Sequence, residues 1–244
     1  MGGFFSALQF LTRLPVPPGA YRLETSVPWL PVVGLVLGVI LAGIDWGLRT
    51  LAVDQLVVST VIVVLLLALS GALHADGLMD TFDAVFGHAS PERRLEIMRD
   101  PHVGAFGVVG LVCVVALKIA AVYTLPTGLR LQALVLAPTL GRWAIVLLAT
   151  VFPYGREHGL GAPLKAAATP RTLVLASLLP LVGCIALGPV GAACGLLAAA
   201  VALGLGRWLM RLLPGLTGDN YGAACELVEA TVWLSAAPLA RVWA

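Results

Sequence analysis

Long apolar stretches alternate with short polar ones along this chain. The apolar runs cover residues 27–50, 54–75, 104–125, 130–152, 172–188, 190–213 and 222–242. A helix that crosses the hydrocarbon core of a bilayer needs about 20 mostly apolar residues. The pattern therefore predicts an all-α, polytopic membrane bundle of about seven transmembrane helices, the short fifth one tilted or re-entrant. Residues 2–13 (GGFFSALQFLTR) are apolar with a polar side at Ser6, Gln9 and Arg13. That fits a helix lying in the interface, or a disordered start. No long linker divides the chain, so residues 1–244 read as one integral-membrane domain.

Composition agrees with the pattern. Hydrophobic residues make up 59% of the 244 and charged residues 11%, where a soluble domain carries about 25% charged. Lipid must replace much of the water around such a surface. The net charge of +2, with no basic tract, argues against a nucleic-acid partner. Met1 to Leu14 has no basic segment ahead of its apolar run and no clear small-residue cleavage site, so it is not read as a signal peptide. Cys113, Cys184, Cys194 and Cys225 form no C-x-x-C pair and sit in apolar runs. They read as small buried apolar residues rather than disulfide partners or metal ligands.

Lys and Arg sort by side. With seven spans, the side of the N-terminus carries ten: Arg13, Arg22, Arg93, Arg94, Arg99, Arg156, Lys165, Arg171, Arg207 and Arg211. The other side carries three, Arg49, Arg130 and Arg241. The positive-inside bias places the N-terminus and the ten in the cytoplasm. The spacings Gly34-x-x-x-Gly38 and Gly191-x-x-x-Gly195 allow close helix packing and leave self-association open.

The densest polar segment is HADGLMDTFDAVFG, residues 74–87. Asp76, Asp80 and Asp83 are spaced i, i+4, i+7 and share one helical face. Three carboxylates so placed repel one another unless a hard cation neutralises them, and Mg²⁺ takes one or two carboxylates plus phosphate oxygens. The bland alternative is a solvated acidic loop. Leu78, Met79, Phe82 and Val85 supply an apolar back, which favours a packed site. His74 alone reads as a core or interfacial histidine. Arg93, Arg94 and Arg99 follow, suited either to phosphate or to the positive-inside signal. Asp100-Pro-His-Val-Gly104 then opens the third span, as an anion-binding helix start or a plain turn.

Two further segments fall on the same side. One is Pro153-Tyr154-Gly155-Arg156-Glu157-His158-Gly159-Leu160-Gly161. The other runs from Pro214 through Asp219 and Asn220 to Glu226 and Glu229. Their glycines give a backbone that a ligand can approach, and Asp219 can serve as ligand or base. Within the spans, Arg142 has Asp219, Glu226 or a phosphate as prospective partners, and Lys118 can snorkel. Asp45 reads as interfacial.

These segments resemble one family, cobalamin synthase, the adenosylcobinamide-GDP ribazoletransferases. The resemblance runs from FFSALQFLTRLPVP through HADGLMDTFDAVFG, RRLEIMRDPHVGAFG, GRWAIVLL and PYGREHGLG to GLTGDNYGAACELVE. It implies Mg²⁺ as cofactor, the inner membrane of a bacterium, and a site facing the cytoplasm. It further implies that a hydroxyl of α-ribazole, or of its 5′-phosphate, attacks the phosphate next to cobinamide in adenosylcobinamide-GDP, releasing GMP. By motif match, Asp76, Asp80 and Asp83 hold the metal and leaving diphosphate. The catalytic candidates are Asp83 as base, His74 and Asp219. The substrate-binding candidates are Arg93, Arg94, Arg99, Asp100, Gly104, Arg142, Arg156, Asp219, Asn220 and Glu226. Association with other nucleotide-loop enzymes follows only from a shared pathway.

Two rivals are weighed against this. A phosphatidyltransferase using a CDP-activated alcohol would need Ala-Arg where Leu78-Met79-Asp80-Thr81 follows Asp76-Gly77. A cation-coupled transporter would use Asp45, Lys118 and Arg142 along a path, but most of the charge collects at one face.

Overall fold

The computed structural model describes residues 2–19, 21–87 and 90–243. Among them there are eleven α-helices and no strand. They are α1 Gly2–Leu11, α2 Leu30–Thr50, α3 Gln55–Leu69, α4 Leu73–Phe86, α5 Pro91–Ile97, α6 Ala105–Thr124, α7 Thr127–Val151, α8 Ala162–Ala167, α9 Pro170–Ala186, α10 Gly188–Leu209 and α11 Gly218–Val242.

Five helices are long and apolar enough to cross a bilayer: α2 with the turn before it, α6, α7, α10 and α11. A sixth crossing exists if α3 and α4 are taken as one broken span. The expected count of seven is thus reached only by adding the 17-residue α9. The expected second run, 54–75, does not continue as one helix. Gly71 and Ala72 adopt left-handed φ values of 61° and 57°, and α4 leaves α3 at 89°. Left-handed backbone cannot propagate a right-handed helix. The 14-residue α4, carrying three aspartates, is too short and too polar to cross by itself; it runs across the bundle rather than through it.

The centre of the bundle is α7. Gly34 and Gly38 of α2 lie against its backbone at Pro138, Thr139 and Val135, and Gly141 of α7 meets Cys225 of α11. Gly191 and Gly195 close α10 onto Cys184 of α9. The small-residue spacings are therefore used within one chain. Outward faces are apolar: Val108, Val109, Val112 and Leu117 on α6, and Val174, Leu178, Leu181 and Ile185 on α9, are all exposed. Cys113 shares that face, so it is exposed rather than buried, while the other three cysteines are buried and all four are free.

The end of the bundle away from α4 is pinned by a buried ion pair. Arg130 Nε lies 2.8 Å from Asp45 Oδ1, Nη2 donates to Ser59 Oγ at 3.2 Å, and Nη1 donates to the Val122 carbonyl. Asp45 is thus not interfacial and Arg130 is not a loop cation. Each supplies the counter-charge that makes the other's burial tolerable.

Candidate active site

Helix α4 is amphipathic by sequence, and the fold uses that. His74, Ala75, Gly77, Leu78, Thr81, Ala84 and Val85 are buried, leaving Asp76 exposed and Asp80 and Asp83 half-buried. Two glycines let α4 cross the first turn of α11 backbone to backbone. A Cβ on Gly77 would lie 2.9 Å from Asp219 Cα, and one on Gly222 would lie 3.1 Å from His74 Cα. The crossing brings Asp219 beside Asp76 and Asp80, although about 140 residues separate them in sequence.

The 153–161 loop reaches the same place. The Gly155 N–H donates to the Leu216 carbonyl at 2.8 Å and the Leu216 N–H to the Pro153 carbonyl at 2.9 Å. Thr217 and Asn220 form a capping box at the start of α11, which satisfies N–H groups left over at a helix start. Asn220 Nδ2 also donates to Thr81 Oγ1 at 3.0 Å, fastening α11 to α4. Arg156 is thereby set 2.9 Å from Asp219 Oδ2. A second bond runs from Arg156 Nη2 to the Met98 carbonyl at 3.2 Å, while its Nε is buried without a partner.

Charge in this corner is unbalanced. Burial, then the charges of Asp219, Asp76 and Asp83, together raise the Asp80 carboxyl to about 7, with Arg156 opposing them. Among the described residues no three Asp, Glu, His or Cys side chains come together as a metal-binding group. The donor set is nonetheless oxygen-only, open and short of positive charge, which is the chemistry of a hard cation completed by substrate oxygens.

Other sequence candidates are placed differently. Both Asp83 oxygens accept backbone N–H groups, from Gly104 and Gly107, each at 2.8 Å. Gly104 is the N-cap of α6 and has no side chain to cap it; Asp83 does so from a neighbouring helix. Arg94 is buried and donates to the carbonyls of Ala84 and Val85 at 3.1 and 2.8 Å, closing the C-terminus of α4. Arg93 is exposed and paired with Glu96 at 2.7 Å. Asp100 is exposed; the His102 backbone N–H and ring hold its carboxyl below the usual range. Arg99 lines an open basin with Arg156, Glu157 and His158.

Behind the aspartates lies a buried charge network that sequence spacing does not display. Lys118 of α6 donates to Glu226 and Glu229 of α11 at 2.5 Å each. Arg142 of α7 pairs with the other oxygen of Glu229, and its Nη2 lies 3.5 Å from His74 Nδ1. Lys118 does not snorkel, and neither Arg142 nor Glu226 reaches the aspartate corner. Two cations face two anions inside the bundle. Burial, with the Arg142 charge beside it, lowers His74 to about 3, so its ring is neutral.

A cavity of about 550 Å³, counting its mouth, opens beside the aspartates. Phe10, Leu11, Leu73, Ile145, Leu160 and Leu164 give it apolar walls, and His74, Asp76, Asp219 and Tyr221 its polar ones. His74 Nε2 and the Tyr221 hydroxyl are buried without partners.

Comparison with known proteins agrees with the sequence resemblance. Residues 3–237 match the family model described as cobalamin-5-phosphate synthase. The chain is 44% identical to the adenosylcobinamide-GDP ribazoletransferase of Roseiflexus sp. (strain RS-1), over 94% of this chain and 88% of that one. The protein of the same name from Desulforamulus reducens is 39% identical over 93% and 92%. The one from Synechococcus elongatus is 40% identical over 94% of both chains. No solved structure matches.

Proposed function

The chain belongs to the cobalamin-5-phosphate synthase family of transferases, and from that premise we propose how its aspartate corner performs the transfer. The substrates are adenosylcobinamide-GDP and α-ribazole or its 5′-phosphate. A ribazole hydroxyl attacks the phosphorus next to cobinamide, the phosphoanhydride bond breaks, and GMP leaves with the bridging oxygen. The products are adenosylcobalamin, or its phosphate, and GMP.

The observation that carries this reading is that Asp76, Asp80 and Asp219 feel one another's charge while, among the described residues, Arg156 is the cation that opposes them. A diphosphate cannot approach three carboxylates unless positive charge comes with it. Asp76 and Asp219 would hold Mg²⁺, which would supply charge neutralisation on the phosphate oxygens. Arg156 and Arg99 face the open basin and take the diphosphate there. Asp80, half-buried beside Asp76 and Asp219, accepts the hydroxyl proton. Asp83 has both oxygens engaged by backbone N–H groups and holds α6 against α4. Asn220 positions Asp219 through the capping box. Arg93 and Asp100 form local surface pairs. The site faces the cytoplasm of a bacterial inner membrane. In support, Arg13 packs on Gly71 at the start of α4, and Lys165 caps the end of α7 through the Ala149 and Phe152 carbonyls. Arg94, Arg99 and Arg156 lie on the same side.

The test is Mg²⁺-dependent GMP release from adenosylcobinamide-GDP and α-ribazole phosphate by the purified protein in detergent. Asp80→Asn is expected to lower kcat by about 10²–10⁴-fold, and Asp76→Asn to raise the Mg²⁺ requirement. Survival of full activity in Asp80→Asn would overturn the base assignment. No GMP from folded wild type with every substrate present would overturn the transferase reading.

A further inference from the structure

The family relation leaves open where the incoming nucleoside puts its base. The cavity beside the aspartates has six apolar walls, and two of its polar residues, Asp76 and Asp219, also belong to the proposed transfer site. A molecule seated there has its buried part against hydrocarbon and its mouth end beside the carboxylates.

The third polar residue, His74, is fixed in one hydrogen-bonding sense. Arg142 carries only donors. Its Nη2 lies 3.5 Å from His74 Nδ1, so Nδ1 accepts and the ring proton resides on Nε2. Arg142 is itself held by Glu229, and Glu229 by Lys118. The charge network therefore sets the tautomer. The result is an N–H donor, buried without a partner as the Tyr221 hydroxyl is, on the wall of a cavity lined largely by apolar side chains. A buried donor left unpaired is costly, and a ligand acceptor removes that cost.

From this we infer that the cavity receives the aromatic base of the acceptor nucleoside, a flat heterocycle with one unprotonated ring nitrogen that accepts the Nε2 proton of His74. A benzimidazole has that inventory: a wide apolar face and a single acceptor. Held from behind by Arg142 and with Nε2 left unpartnered, His74 acts as an orienting residue. This inference rests on the reading of ribazole as acceptor, and its test separates the two.

The test compares two nucleosides on wild-type protein in detergent, without the GDP-linked substrate. One is a benzimidazole riboside; the other is the matching indole riboside, which has C–H in place of the ring nitrogen. Wild type is expected to bind the benzimidazole about tenfold more tightly, the size of one hydrogen bond. His74→Leu should abolish that preference and His74→Gln, which keeps a donor, should restore part of it. Equal binding of the two ribosides by wild type overturns the proposal, and it needs no variant to fold. Competition of GMP with the benzimidazole riboside, relieved by His74→Leu, also overturns it by giving the cavity to guanine. If wild type prefers the benzimidazole but releases no GMP, the cavity assignment stands and the transferase reading fails. GMP release with no nitrogen preference gives the reverse.

Discussion

Two acidic clusters meet helix α4, one through His74 and the other through its aspartates, and are built on opposite terms. In the interior, Glu226 and Glu229 face Lys118 and Arg142, two charges against two, all buried. At the rim, Asp76, Asp80 and Asp219 face Arg156 alone. The balanced cluster cannot gain from binding another ion, and it serves to hold α6, α7 and α11 together. The unbalanced cluster repels itself and gains from any cation that arrives. Charge balance, more than the presence of acidic residues, separates scaffold from site here.

The comparison can be broken most forcefully from the interior. Glu229→Gln leaves Arg142 and half of Lys118 uncompensated in a dry environment, and is expected to cost about 3–5 kcal/mol of stability. A shift in thermal unfolding in detergent measures it; an unshifted midpoint would mean the cluster is not structural. A smaller loss, about 1–2 kcal/mol, is expected for Asp83→Ala, which strips the α6 N-terminus of its two N–H acceptors. Hydrogen exchange at Gly104 and Gly107 should rise with it. The smallest effect sharpens the rim side. In metal-free protein the Asp80 carboxyl is raised to about 7, so folding favours its protonated form. The stability this contributes is present in full below the unfolded value near 4 and is lost as pH rises through about 7. Thermal stability in EDTA should therefore fall across that window, and Asp80→Asn should flatten the slope. Mg²⁺ should restore stability most above pH 7.

Much of this was legible in the sequence. The apolar runs predicted helices α2, α6, α7, α10 and α11, and the i, i+4, i+7 aspartates predicted a single acidic face. What escaped were contacts made across the fold. Nothing local marks Gly71 and Ala72 as the place where the second run turns by 89°. Asp45 looked interfacial and Arg130 looked like a loop cation, because charge alone does not reveal a partner 85 positions away. Lys118 and Glu229 lie 111 positions apart. Asp83 matched the acidic spacing as well as its neighbours did, yet the glycine-initiated α6 takes both its oxygens. His74 gave no sign that a distant arginine would choose its tautomer.

The Lys118 pairing also sets an order of assembly. A ribosome making roughly 5–20 residues per second finishes α11 about 6–25 s after Lys118 has emerged. During that interval α6 has its lysine and no partner, a penalty of about 2.5–3.5 kcal/mol at the centre of a bilayer. The helix must wait at the translocon, or at the lipid boundary, until the last helix brings two glutamates to it. Closure of this network therefore waits for α11, and a chain cut short before Glu226 is one that quality-control proteases can recognise by a stranded charge.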